Sequence, residues 1–212
     1  QTVSWHNPDT GNNILDLSHY RGLLMHSTQN YTIGEELTAQ FRTMNLNPLH
    51  YLFLSLWYRL TGDEIVHYRL FSVLVFILTL PFLFFLARKL FRSDLAAWIT
   101  TSFYSVSPFI HVFAQEARYY ILWAFILVLL HFFLIFALDK RRLLWWAGYA
   151  LAGTLALYCS ILSGLILFEH LLFILILYRK EFWKVAGSGV AMLLAYLPWL
   201  LLILNSYQEV VT

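Results

Sequence analysis

A short polar stretch interrupts the apolar sequence near its middle, where Gln115, Glu116 and Arg118 follow one another closely. A carboxylate and a guanidinium at a membrane boundary are costly to desolvate, and such groups usually have a function. Pro108 lies upstream and ends or kinks the preceding helix, because proline lacks an N–H and its ring crowds the turn before it. The stretch therefore predicts a polar corner between two helices. The simpler interpretation is a helix-start carboxylate beside a snorkelling arginine.

The composition indicates an all-α polytopic membrane protein. Of the 212 residues, 60% are hydrophobic and 12% are charged, whereas soluble domains carry roughly 25% charged residues. The net charge of +2 comes without a basic stripe, so nothing indicates nucleic-acid binding. A single cysteine, Cys159, excludes an internal disulfide and a cysteine-based metal site.

Six segments are apolar and close to the ~20 residues that cross a hydrocarbon core of ~30 Å. They are residues 66–91, 95–112, 119–138, 143–159, 162–178 and 182–204, so we predict about six transmembrane helices. Residues 48–61 are apolar but shorter, and we interpret them as an interfacial or re-entrant helix.

The chain therefore divides into two parts. Residues 1–61 are predicted to form an external loop with short juxtamembrane helices, and residues 62–212 a transmembrane helical domain. The sequence starts at Gln1 in a polar stretch and stops after an apolar segment. We therefore expect a first membrane helix and a C-terminal part to belong to a longer protein.

Clusters of basic residues predict the orientation of the spans. Each cluster lies in a connection between two spans. The first and second spans are joined by Arg88, Lys89 and Arg92, and the third and fourth by Lys140, Arg141 and Arg142. The fifth and sixth are joined by Arg179, Lys180 and Lys184. By parity all three clusters lie on one side, which the positive-inside rule makes cytoplasmic. The corner at 113–118, a turn at 160–164 and the segment 1–47 then lie on the opposite side.

The polar groups on that opposite side permit one kind of enzyme chemistry. Cytosolic nucleotide donors are out of reach there, so the activated substrate would be a membrane lipid, such as a sugar on a polyprenyl phosphate. Transfer needs a carboxylate that deprotonates the acceptor and cations or a metal ion that stabilise the departing phosphate. Two carboxylates and two arginines meet these needs: Asp16, Glu116, Arg69 and Arg118.

Glu169 and His170 lie inside the predicted span 162–178, where ionisable groups are costly. The simpler interpretation is a packed, hydrogen-bonded pair in the interior of the bundle. The alternative is a proton path.

Three stretches, in the expected order, resemble the GT-C lipid-dependent glycosyltransferases of the protein O-mannosyltransferase and aminoarabinose-transferase type. NPLHYLFLSLWYRLTGDEIVHYRLFSVL is similar to their HPPLYYLLLHLWLRLFGDSELALRLLSAL pattern. SPFIHVFAQEARYYILWA resembles their SPFHIYYSQEARMYALLL stretch, and AYLPWLLLILNS resembles FLPWLPVLLRQ. Together these matches cover about residues 47–205, the N-terminal part of such an enzyme.

The resemblance implies roles for individual residues. The family's acidic catalytic residue in the first external loop corresponds to Asp16, with Asp9 as the alternative. Binding of the donor phosphate or substrate is implied for Asn47, Tyr51, Arg69, Glu116, Arg118 and Tyr119. Some relatives use an acid in the second loop to hold a divalent metal, so Glu116 is also a candidate ligand for Mg²⁺ or Mn²⁺, and metal dependence stays open.

The activity implied by the resemblance is transfer of a sugar from a polyprenyl-phosphate donor to an acceptor hydroxyl or amine. The partners would be the donor lipid, the bilayer and a glycan, lipid or protein acceptor. The protein would lie in the cytoplasmic (inner) membrane with its active face periplasmic or extracellular. The alternative is a non-catalytic polytopic protein, such as a lipid-carrier transporter or an assembly subunit.

Replacement of the proposed base tests the assignment. We expect Asp16→Asn to lower sugar transfer by roughly 100-fold or more, because asparagine keeps the shape of the side chain but cannot accept a proton. Transfer is measured in membranes beside the amount of inserted protein, which should not change. A fully active Asp16→Asn variant would end the assignment, and loss of transfer in Asp9→Asn alone would move the role to Asp9.

Overall fold

A computed structural model of the chain describes residues 48–62, 65–116 and 118–211. Eight α-helices follow one another in this part of the chain, and no strand occurs in it. They are α1 (Pro48–Thr61), α2 (Ile65–Phe91), α3 (Asp94–Val106), α4 (Pro108–Gln115), α5 (Tyr119–Lys140), α6 (Leu143–Cys159), α7 (Ser163–Leu177) and α8 (Phe182–Val211). A short 3₁₀ turn, Arg179–Glu181, leads into α8.

The helices confirm the prediction of an all-α membrane protein. Three segments are long and apolar enough to cross a bilayer: Val66–Phe91, Tyr119–Lys140 and Arg179–Leu202. Helices α6 and α7 are equally apolar but shorter, with 17 and 15 residues. Helix α1 has 14 residues, about 21 Å of helix, which suits the interfacial position predicted for it.

The predicted span 95–112 is formed by two helices rather than one. Ser107 separates α3 from α4 with ψ 117°, the extended conformation that the ring of a following proline imposes. The break leaves carbonyl groups at the end of α3 without helical partners. His111 Nε2 lies 2.6 Å from the Ser105 carbonyl oxygen, and since a carbonyl can only accept, the imidazole donates. The ring of Phe76 packs against His111 and against Tyr104, one residue on each side of the break.

Ion pairs lie together at one end of the bundle, where the three basic clusters of the sequence meet. Arg88 pairs with Asp94 at 2.6 Å and Lys89 with Asp139 at 2.7 Å, which connects the C-terminus of α2 to α3 and α5. Glu181 forms ion pairs with Lys184 at 2.8 Å and with Arg141 at 3.5 Å. We call this region the basic end.

The opposite end of the bundle brings together α1, the segment after α4 and the turn between α6 and α7. An apolar cluster holds these elements side by side; its buried members are Leu49, Val75, Ala114, Ile121, Leu122, Ile126, Ala156 and Cys159. The corner and the 160–164 turn therefore share one end, opposite the basic clusters, as the charge pattern predicts. We call this region the corner end.

A second apolar cluster fills the bundle towards the basic end, where α5, α6, α7 and α8 pack together. Its fully buried side chains include Leu130, Tyr149, Ile174 and Met192. Small residues let membrane helices approach closely. Gly148 of α6 faces the ring of Phe133 on α5 so closely that a Cβ atom there would overlap the ring.

We expect Gly148→Val to lower stability, because the added side chain must displace Phe133 and overpacking costs about 1–3 kcal/mol. Gly187→Val is the matched control, since a Cβ atom at Gly187 meets nothing within 4 Å while the change in helix propensity is the same. Thermal unfolding of both variants in detergent compares them. Equal shifts in Tm would show that the α5–α6 approach does not depend on this glycine.

Candidate functional site

The corner is a short extended connection between α4 and α5. Glu116 follows α4 with φ −87° and ψ 137°, and its N–H still donates to the Val112 carbonyl at 3.2 Å. Arg118 precedes α5 with φ −122° and ψ 161°. The rings of Phe113 and Tyr120, one on each side, lie 4.8 Å apart between centroids. The corner is therefore closed by an aromatic contact, and its two charged residues lie at the junction.

A hydrogen bond anchors the corner to α2. The hydroxyl of Ser72 donates to the backbone carbonyl of Glu116 at 2.9 Å, and Ser72 is fully buried. The carbonyl has no partner in a helix, and an unpaired buried carbonyl would cost free energy. The bond from Ser72 thus fixes the position of the Glu116 backbone along α2.

Glu116 and Arg118 form a weak ion pair. Arg118 Nε and Glu116 Oε2 lie 3.7 Å apart, and the side chains are 66% and 39% exposed. Such exposed pairs contribute roughly 0–1 kcal/mol, so little free energy is lost if Arg118 exchanges the carboxylate for another anion. The arrangement can present a guanidinium that a neighbouring carboxylate orients.

Arg69 belongs to the same region through its position on α2. It precedes Ser72 by three residues, and residues at i and i+3 share one face of a helix. Arg69 is exposed and forms no ion pair with another residue in the described part of the chain. Arg69 is therefore a second cation, about one helical turn along α2 from Ser72, whose hydroxyl bonds the corner.

Tyr119 connects the corner to the turn between α6 and α7. The backbone carbonyl of Tyr119 accepts a weak bond from Cys159 Sγ at 3.9 Å, and one turn later Trp123 Nε1 donates to Ser163 Oγ at 2.8 Å. Tyr51 is exposed on α1, with its ring edge-on to the buried His50.

Five of the predicted site residues therefore belong to the corner end: Tyr51, Arg69, Glu116, Arg118 and Tyr119. Asp16, its alternative Asp9, and Asn47 lie outside the described residues, so their roles stay predictions. Sequence reasoning missed Ser72 and identified Ser163 only as a residue of the turn between two helices. The available signal for Ser72 was a hydroxyl in a largely apolar helix, where an unsatisfied polar group is costly.

The described residues hold one group of side chains with the composition of a metal site, and it is not at the corner. His131, Glu169 and His170 offer ligand atoms within 4.8 Å of one another, in the middle of α5 and α7. His131 Nδ1 donates to the Leu127 carbonyl at 2.7 Å, and His170 Nδ1 lies 3.2 Å from the Tyr149 hydroxyl. His170 is buried as expected, but Glu169 is 61% exposed and points out of the bundle interior. A metal role for Glu116 stays a prediction.

The chain matches the model of a known protein family. The model of the dolichyl-phosphate-mannose-protein mannosyltransferase family matches residues 46–202, a range that contains all five described residues of the corner end. Neither the curated proteins nor the solved structures contain a match to this chain.

Removal of the anchoring hydroxyl tests the corner. We expect Ser72→Ala to raise amide hydrogen exchange in the segment 113–120 by about 5-fold, since a lost hydrogen bond is worth about 1 kcal/mol. Thr79→Val is the matched control, because Thr79 is equally buried on α2 but bonds the Val75 carbonyl of its own helix. Equal exchange in both variants would contradict the anchoring role.

Proposed function

Because this chain belongs to the dolichyl-phosphate-mannose-protein mannosyltransferase family, we propose that it transfers a sugar from a polyprenyl-phosphate carrier to an acceptor hydroxyl or amine. Membership makes it a membrane glycosyltransferase of the GT-C type that uses a lipid-linked sugar donor. The polyprenyl-phosphate nature of that carrier, the acceptor group and the side of the membrane are the proposed parts.

The observation that carries the proposal is the placement of two available cations at the corner end, where the backbone of Glu116 is anchored to α2. Arg118 is mostly exposed and only weakly paired with Glu116, and Arg69 lies one turn from the Ser72 that bonds the corner. A phosphate that gains charge as it leaves is stabilised by preorganised cations. Guanidinium groups suit phosphate oxygens through paired N–H donors.

The reaction assigns a separate task to each group. A base removes the proton of the acceptor, the acceptor atom attacks the anomeric carbon, and the bond from that carbon to the phosphate oxygen breaks. The phosphate leaves with the bonding electrons beside Arg69 and Arg118. Glu116 orients Arg118, and Asp16 is the proposed base. Tyr51 and Tyr119 would border the donor, and Asn47, which precedes α1 in the sequence, would bind it.

A divalent metal is an alternative use of Glu116. A carboxylate oxygen is a ligand that Mg²⁺ and Mn²⁺ accept, and Glu116 is partly exposed at the corner. Its ion pair with Arg118 favours orientation of the guanidinium over metal binding. Titration of activity with a chelator distinguishes the two uses.

Helix α1 suits a carrier with a long apolar tail. Its outer side chains Tyr51, Phe53, Leu56 and Leu60 are exposed while Leu49 and Leu54 are buried against the bundle. An exposed apolar surface beside the corner gives the tail a path along the bilayer. We propose that the prenyl chain lies along this face of α1.

The charge distribution supports the proposed orientation. The basic clusters lie at the end of the bundle opposite the corner, and positive residues favour the cytoplasmic side. The corner end would then face the periplasm or the exterior of a cytoplasmic membrane. There a lipid-linked sugar is the activated donor within reach.

The two arginines test the proposal directly. We expect Arg118→Gln and Arg69→Gln each to lower kcat/KM for a polyprenyl-phosphate sugar donor by about 10-fold or more, because charge-assisted hydrogen bonds are worth about 1.5–3 kcal/mol. Arg142→Gln removes the same charge at the basic end and should leave transfer unchanged. If all three variants transfer sugar like the parent chain, the corner does not bind the donor phosphate and the non-catalytic alternative gains support.

A further inference from the structure

A cavity of about 650 Å³ opens at the basic end, far from the corner. It lies between the C-terminal turns of α2 and α5, and Tyr178 closes one side after α7. Its lining residues Phe85 and Leu90 are also exposed on the outer surface of the bundle. The cavity therefore opens towards the lipid head groups expected beside the basic end.

The cavity is amphipathic, with an apolar wall and a basic rim. Phe85 and Phe136 provide aromatic surface, and Lys89 lies 5.8 Å above the ring centre of Phe136. Arg88, Lys89 and Arg92 line the rim, with Asp139 as the carboxylate among the lining residues. Three cations beside one carboxylate leave the rim positive.

The three cations are not equivalent. Arg88 is paired with Asp94 at 2.6 Å and Lys89 with Asp139 at 2.7 Å. Arg92 makes no ion pair with any residue in the described ranges 48–62, 65–116 and 118–211. With no carboxylate partner among the described residues, its guanidinium is available to bind an external anion.

The backbone at Arg92 is unusual. Its φ of +51° places an arginine in the left-handed region, where glycine is favoured after a helix. The sequence thus places a charged side chain where a glycine would be less strained. Arg141, which follows α5, has the same conformation with a φ of +52°, so both helix ends place an arginine where glycine would be less strained.

A second groove at the same end differs in its charge balance. It measures about 460 Å³ and contains Arg141 and Lys184, but both cations contact Glu181, at 3.5 and 2.8 Å. That carboxylate is nearly buried and satisfies both of them. Of these two cavities, the one beside Arg92 contains a cation without an ion-pair partner among the described residues.

We propose that the cavity beside Arg92 binds the phosphate of an anionic phospholipid, with the acyl chains along Phe85 and Leu90. Basic pockets between membrane helices on the cytoplasmic side are suited to acidic lipid head groups. A phospholipid matches both the basic rim and the apolar wall, whereas a free phosphate would use the rim alone. This site is separate from the proposed transfer site and has its own readout.

Lipid retention tests the site. The purified chain is equilibrated with mixed micelles of phosphatidylglycerol and phosphatidylcholine, and native mass spectrometry counts the bound lipids. We expect the parent chain to retain one phosphatidylglycerol in strong preference to phosphatidylcholine. Arg92→Gln should reduce this retention by about 10-fold or more, the scale of a lost charge-assisted contact.

Two further variants make the result decisive. Arg142→Gln removes an equal charge from the same end of the bundle, outside the cavity lining, and should retain lipid like the parent chain. Arg92→Gly relieves the left-handed backbone, so it should fold at least as well and still lose the lipid.

Three outcomes would overturn the site. Equal loss in Arg142→Gln would show only diffuse attraction of acidic lipid to the basic end. Full retention in both Arg92 variants would exclude Arg92 as the ligand of the phosphate. Displacement of the lipid by millimolar inorganic phosphate would assign the rim to a free anion instead.

Discussion

The hydrogen bond from Ser72 to the carbonyl of Glu116 is the interaction on which the corner end depends. Hydrocarbon offers backbone groups no partners, so a break between membrane helices must satisfy its own carbonyls or lie where water reaches them. The corner uses a buried hydroxyl from the neighbouring helix for this purpose. The same bond fixes the separation between α2 and the junction of α4 with α5. Arg69 and Arg118 are thereby placed at the same end of the bundle, although 49 positions separate them in the sequence.

The two ends of the bundle treat charge in opposite ways. At the basic end, Lys89, Lys184 and Arg141 are paired with carboxylates that connect different helices. At the corner end, Arg118 holds a carboxylate loosely and Arg69 holds none among the described residues. Cations that are paired with carboxylates help to hold the helices together, whereas weakly paired cations can exchange their carboxylate for an anionic ligand. The corner end therefore has the features of a binding site and most of the basic end those of a scaffold.

Features encoded locally could be predicted from the sequence. Pro108 indicated the end of a helix, and the basic clusters indicated which connections lie at the same end of the bundle. Both signals depend on residue type and position alone. The three stretches of resemblance, which contain Glu116 and Arg118, were confirmed by the family match over residues 46–202.

Features that depend on packing between distant segments could not be predicted. Pro108 was expected to end or kink the helix in span 95–112, but the choice between a kink and a full break depends on contacts such as the bond from His111 to the freed Ser105 carbonyl. The role of Ser72 depends on a contact with Glu116, 44 positions away. Burial of His170 beside an exposed Glu169 depends on the rotation of α7 about its axis, which a uniformly apolar helix does not specify.

The shortness of α6 and α7 affects the surrounding membrane. Their 17 and 15 residues correspond to about 25 and 22 Å of helix, less than a typical hydrocarbon thickness of ~30 Å. A helix shorter than the hydrocarbon core would leave its polar ends in hydrocarbon unless the bilayer thins locally, so we expect a thinner apolar layer beside this pair. A carrier head group that approaches along the α6–α7 side therefore has a shorter apolar layer beneath it, and the protein couples its lipid environment to the geometry of its own shortest helices.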